Sequence, residues 1–144
     1  MFKSVLLPID LSAENSWSRA APVAIKMAQD GNAPLHVVTV VPDFGMSVVG
    51  SYFEPGFEKE ALHRIGEALG EWVSANVPEG VEVHAHVLHG RIYDEILTAA
   101  EKLGIDAIVM GSHQPGLKDY LLGPNAASVV RHAKQSVFVV RGGD

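Results

Sequence analysis

The sequence predicts an α/β fold: one doubly wound, five-stranded parallel sheet with helices on both faces. Three observations lead there. Short β-branched runs alternate along the chain with longer segments whose apolar residues recur at helical spacing. Two of the runs are apolar at nearly every position, which suits strands buried on both faces. No repeat, linker or low-complexity tract divides the 144 residues, so residues 1–144 are expected to form a single domain.

The elements follow in order. Residues 4–10, Ser-Val-Leu-Leu-Pro-Ile-Asp, read as a first strand that closes on Pro8 and Asp10. Ser12 is expected to cap the next helix. That helix carries Trp17, Ala20, Ala21, Ala24, Ile25 and Ala28 on its inner face; Pro22 should kink it or delay its start, and Asp30-Gly31-Asn32 should end it. Residues 35–41 form a second, buried strand. Pro42 to Gly56 is a fifteen-residue connection, long enough to suggest a lid or functional loop. Residues 58–76 form an amphipathic helix with Leu62, Ile65, Leu69, Trp72 and Val73 inward, and Gly66 and Gly70 are expected to allow close helix–sheet packing. Residues 81–87 alternate strictly, so this third strand has one wet face and belongs at a sheet edge. Residues 94–103 form a helix, 105–110 a strand apolar apart from Asp106, 125–133 the last helix and 137–140 the last strand.

Composition narrows the function. With no cysteine there is no thiol catalysis, Cys-ligated zinc or iron–sulfur centre. Seventeen acidic against eleven basic residues, a net charge of −6, argue against non-specific binding to nucleic acid or anionic membrane. Neither a secretion signal nor an 18-residue apolar stretch is present, which suits a cytoplasmic protein without membrane insertion. The chain lacks a Gly-x4-Gly-Lys-Ser/Thr phosphate loop and a Gly-x-Ser-x-Gly nucleophile elbow. Beyond Asp10 no carboxylate cluster organises Mg²⁺ for phosphoryl transfer.

Open α/β sheets take ligands beyond the carboxyl ends of their strands, where strand order reverses. That rule points to Pro8-Ile9-Asp10, to Val40-Val41 and to Met110 through Ala127. In the last segment Gly111 leaves a strand, a loop follows, and Gly123 opens a helix. Glycine lets backbone approach a ligand, and the N–H groups of a helix start attract anions. Taken alone, such junctions are common structural punctuation.

Three stretches together resemble the universal stress protein family: Val5-Leu-Leu-Pro-Ile-Asp10, Ile108-Val-Met-Gly-Ser-His113, and Leu121-Leu-Gly-Pro-Asn-Ala-Ala-Ser-Val-Val-Arg-His-Ala133 leading to Ser136–Arg141. The resemblance covers essentially the whole chain. It implies strand order 3-2-1-4-5, an adenine nucleotide-binding crevice, and dimerisation along the last strand. It places Asp10 near adenine and ribose, with Pro8 and Ile9 lining the base and Val40 closing the pocket. Gly111, Ser112, His113 and Gln114 would wrap ribose and phosphates, with Met110 in the same nucleotide site. Gly123, Pro124, Asn125 and Ala126 would hold the phosphates, and Val137, Phe138, Val139 and Val140 would form the dimer contact. The implied cofactor is ATP or AMP, with Mg²⁺ accompanying a triphosphate, and the implied role is a stress-responsive regulator with an unidentified protein partner. Slow ATP hydrolysis or autophosphorylation is the most catalysis such a regulator would perform.

The family's nucleotide pattern, Gly-x2-Gly-x9-Gly-Ser/Thr, is altered here. Gln114 replaces the second Gly, the loop is one residue shorter, and Pro124 replaces the hydroxyl residue. Pro124 offers phosphate neither a hydroxyl nor an N–H, although proline suits a first helical position. A subset of the family shares the short loop and the Gly-x-Asn-Ala helix start. The competing reading is a protein-interaction dimer of the same fold that has lost its ligand. A receiver domain is set aside because the first strand ends in one acid and the third in Leu88-His89-Gly90. A flavodoxin is set aside because Leu11-Ser12-Ala13-Glu14 is no phosphate loop. His84 and His86 share one face of the third strand with His36 nearby; they read as the polar face of an exposed strand, with no metal expected. Arg91 is read either as an anion contact or as a surface residue at a helix start.

Overall fold

Burial separates the strands at once into central and edge positions. The computed structural model describes residues 1–42, 57–112 and 124–141. β1 (Val5–Pro8) and β4 (Ala107–Gly111) are buried at every residue, while β3 (Val83–Gly90) and β5 (Ser136–Val140) are partly exposed along their length. With β2 (Leu35–Pro42) they form one parallel sheet in the order β3-β2-β1-β4-β5, as the resemblance implied. The strictly alternating strand is therefore at one edge and the last strand at the other.

Alternate side chains of β1 enter two separate cores. Val5 and Leu7 join Leu35, Val37 and Val109 under α1 (Ala20–Gly31) and α2 (Phe57–Asn76). Leu6 joins Val38, Ile108 and Met110 under α3 (Ile92–Lys102) and α4 (Pro124–His132). α1 meets the sheet with Ala20, Ala21, Ala24 and Ala28, all nearly inaccessible to water. Small side chains let this helix lie close to the strands.

Several boundaries move for local reasons. Pro22 becomes the third residue of α1, where its missing N–H leaves no helical bond unmade, so it delays the helix rather than kinking it. Trp17 stands before the helix and packs edge-to-face on Trp72, centroids 5.4 Å apart. Ser12 does not cap α1; the helix starts eight residues later, after a 3-10 turn at Glu14–Ser16. At the other end Asn32 takes the left-handed conformation and, with Ala33, donates to the last carbonyls of the helix. β4 starts only at Ala107, because the Ile105 N–H caps α3 at Ala100 and the Asp106 carboxylate receives the N–H groups of Lys3 and Ser4. The long connection expected at 42–56 lies outside the described residues beyond Pro42.

The two glycines of α2 are not needed for packing. A Cβ at Gly66 would meet only Val87, at an ordinary 3.8 Å, and one at Gly70 would meet nothing within 4 Å. Gly70→Ala is therefore expected to raise stability by about 0.5–1 kcal/mol, because alanine loses less backbone entropy in a helix. A chemical denaturation midpoint that stayed level or fell would contradict this.

Candidate functional site

The switch point of the sheet lies beside β1. The α1 connection runs from β1 to β2 over one face of the sheet, and the α3 connection returns from β3 to β4 over the other, so strand order reverses between β1 and β4. β1 pairs with β2 up to Pro8↔Val38, but its ladder with β4 ends at Leu6↔Ile108. The reason lies in Pro8. Val5 and Ile9 donate their N–H groups toward β2, to Pro34 and Val38. Backbone groups alternate sides along a strand, so residue 8 would donate toward β4, and proline has no N–H to give. The two strands part there.

Asp10 sits just past this point in a tight turn. Its Oδ1 accepts the Ser12 N–H at 3.0 Å and the Ser12 hydroxyl at 2.6 Å. The turn is fixed from below by Ser16, which is fully buried. Its Oγ accepts the Asp10 N–H at 2.9 Å and donates to Ala13 O at 2.7 Å. No sequence signature marks this serine; only the fold of the β1–α1 connection brings it under Asp10. Ser16→Ala would leave the Asp10 N–H without its acceptor, and we expect a loss of about 1–3 kcal/mol on thermal unfolding. An unchanged melting temperature would mean that the hydroxyl does not hold the turn.

The other expected residues are placed as follows. Ile9 is 1% exposed and its side chain is in the α1 core, so only its main chain borders the crevice. Val40 is half-buried and packs with the α3 face. Met110 and Gly111 are buried at the end of β4. The Ser112 N–H is already given to Val140 O at 2.9 Å, which leaves the hydroxyl as its donor. Pro124 is exposed at the first position of α4, with Asn125 half-buried and Ala126 buried behind it. His113, Gln114 and Gly123 lie outside the described residues. Topology thus brings Pro8, Asp10, Val40, Gly111 and Ser112 to one end of the sheet.

The remaining candidates lie elsewhere. Arg91 precedes α3, faces Asp94 at 3.6 Å, and has its pKa raised by a hydrogen bond to Tyr93 and by the charge of Asp94. His36, His84 and His86 lie in the amino-terminal halves of β2 and β3. Among the described residues no group of three or more His, Asp or Glu side chains is arranged to hold a metal ion. No helix among them is long and apolar enough to cross a membrane.

Fold and site together define a doubly wound α/β domain whose strand order reverses between β1 and β4. A profile of the universal stress protein family matches residues 1–141. Universal stress protein G of Shigella flexneri and of Escherichia coli O157:H7 are each 33% identical over 143 residues, spanning 98% of this chain and 100% of theirs. Among solved structures, the universal stress protein from Archaeoglobus fulgidus in complex with dAMP superposes with a TM-score of 0.68 at 23% identity, covering 96% of this chain and 97% of that one. A universal stress protein in complex with cAMP gives a TM-score of 0.62 at 23% identity, with 99% and 98% covered. The chain belongs to the universal stress protein family. Its sheet order is that of the family's adenine nucleotide alpha hydrolase-like fold.

Proposed function

We propose that this protein is a stress-response regulator that binds an adenine nucleotide in the crevice between β1 and β4. The observation that carries the reading is the parting of those strands at Pro8, in a chain whose family includes structural relatives complexed with cAMP and dAMP. Pro8, the Ile9 main chain and Val40 border the adenine, and Asp10 accepts from the ribose. Gly111 allows close approach, and Ser112, His113 and Gln114 wrap ribose and phosphates. The start of α4, Pro124 through Ala126, with Gly123 before it, would hold the phosphates at the positive end of the helix dipole. ATP, ADP and AMP are the candidate ligands, with Mg²⁺ beside a triphosphate. The regulator works in the cytoplasm as a homodimer through β5 and passes its state to a further protein.

Calorimetric titration with ATP, ADP and AMP tests the reading; no heat and no thermal shift at millimolar nucleotide would overturn it. The alternative, an interaction dimer without a ligand, is favoured by two donors that the phosphates would lack. Pro124 has no N–H, and the Ser112 N–H is spent on Val140. Pro124→Ser is therefore expected to strengthen ATP binding by about 1.5–3 kcal/mol, the value of one charge-assisted hydrogen bond, and AMP binding by less. Equal gains for the two nucleotides would place residue 124 away from the outer phosphates.

A further inference from the structure

At the amino end of the β2–β3 pair, three imidazoles lie together on the sheet face that α3 covers further along. His36 is directly opposite His84 in the parallel register, and His86 is opposite Val38. The His36 and His84 rings stack with centroids 5.0 Å apart and planes 23° from parallel. His36 Nδ1 also meets His86 Nε2 at 3.0 Å, the rings inclined by 20°. One ring donates and the other accepts, so at least one is neutral in this arrangement. Facing nitrogens that share one hydrogen do not leave two lone pairs aimed at a common metal ion.

We propose that the His36–His86 hydrogen bond is a proton-operated latch on the β2–β3 pairing. β3 is an edge strand and, among the described strands, is hydrogen-bonded to β2 alone, so whatever weakens that seam loosens the edge. The pair can hold its bond with no added proton or with one. A second proton leaves two donors face to face at 3.0 Å and no acceptor.

The surrounding charges act in the same direction. Burial holds His36 below the usual histidine pKa, His86 and His84 add repulsion, and among the described residues Glu82 alone opposes them. Burial likewise lowers His86, and His84 repels its proton. Glu82 is engaged with His84 at 2.7 Å. Among the described residues, no charged side chain of α3 is among the groups acting on either ring. A histidine whose folded pKa is depressed takes up protons more readily when released. The stability it confers is therefore complete above about pH 6.5 and is lost as pH falls from there toward the folded value.

Amide hydrogen exchange of residues 83–90 at pH 7.5 and 5.0, corrected for intrinsic chemical rates, tests the latch. In the wild-type protein, opening of β3 should rise about tenfold at the lower pH, equivalent to about 1.4 kcal/mol. In His86→Gln, whose amide donates and accepts but does not titrate, the rise should shrink to what the burial of His36 alone contributes. Should that variant fail to fold, ring ¹⁵N titration of the wild type serves instead: His36 and His86 should protonate in two separated steps. No rise in wild type, the same rise in His86→Gln, or two rings titrating independently would overturn the latch.

Discussion

Ile108→Ala is expected to destabilise the protein by about 3–4 kcal/mol and to lower its melting temperature by about 10 °C. Ile108 has 0% exposure and is paired on one side with Leu6 and on the other with Val137. It stands in the middle of the core beneath α3 and α4, where Val38, Ile96, Met110 and Val129 leave little room to collapse into a cavity. Truncation therefore loses both the transfer energy of three carbons and the contacts around the void. Domains of this size are stable by about 5–15 kcal/mol, so the loss is a large share of the total. Val130→Ala, at a position 51% exposed, is the control and should change stability by less than about 0.5 kcal/mol. If urea unfolding gave less than about 1 kcal/mol for Ile108→Ala, this second core would be looser than its burial implies.

Val139→Lys is expected to abolish the proposed homodimer, raising its dissociation constant more than about hundredfold. β5 pairs with β4 on one side and, among the described residues, has no strand on the other. Phe138 and Val139 are each 38% exposed, while Val137 and Val140 pack against the two cores. Of the four residues expected at the interface, two thus offer apolar side chains to a partner, and Val137 and Val140 contribute mainly through backbone. Phe2 covers part of Phe138, edge-to-face at 5.5 Å, a contact that sequence pattern could not suggest. Among the described residues nothing further covers the edge, which is a liability unless it is paired. Pairing with the same strand of a second copy satisfies two-fold symmetry. Light scattering coupled to size exclusion should give twice 15.4 kDa for the wild type and 15.4 kDa, or aggregate, for the variant. A wild-type mass of 15.4 kDa at every concentration would refute the dimer.

The alternation of apolar runs and amphipathic segments determined the fold class, because a strand apolar on both faces can be satisfied only between two layers of helices. The strict alternation of residues 81–87 placed that strand at an edge, and continuous burial of β1 and β4 followed from their unbroken apolar runs. Asp10 and Val40 were legible as strand-end residues near a reversal of order. Tertiary structure decided the rest. Pro8 looked like a strand terminator, yet its effect is to part β1 from β4, and that depends on which neighbour its missing N–H faces. Ser12 had the chemistry of a helix cap but serves Asp10, while Ser16, equally plain in sequence, became the buried support of the turn. The Ser112 N–H went to Val140 rather than toward a ligand, and His36 met His86, fifty residues away, across a shared register. Periodicity records which face of an element is dry. Hydrogen-bond partners are chosen only when the faces have been brought together in three dimensions.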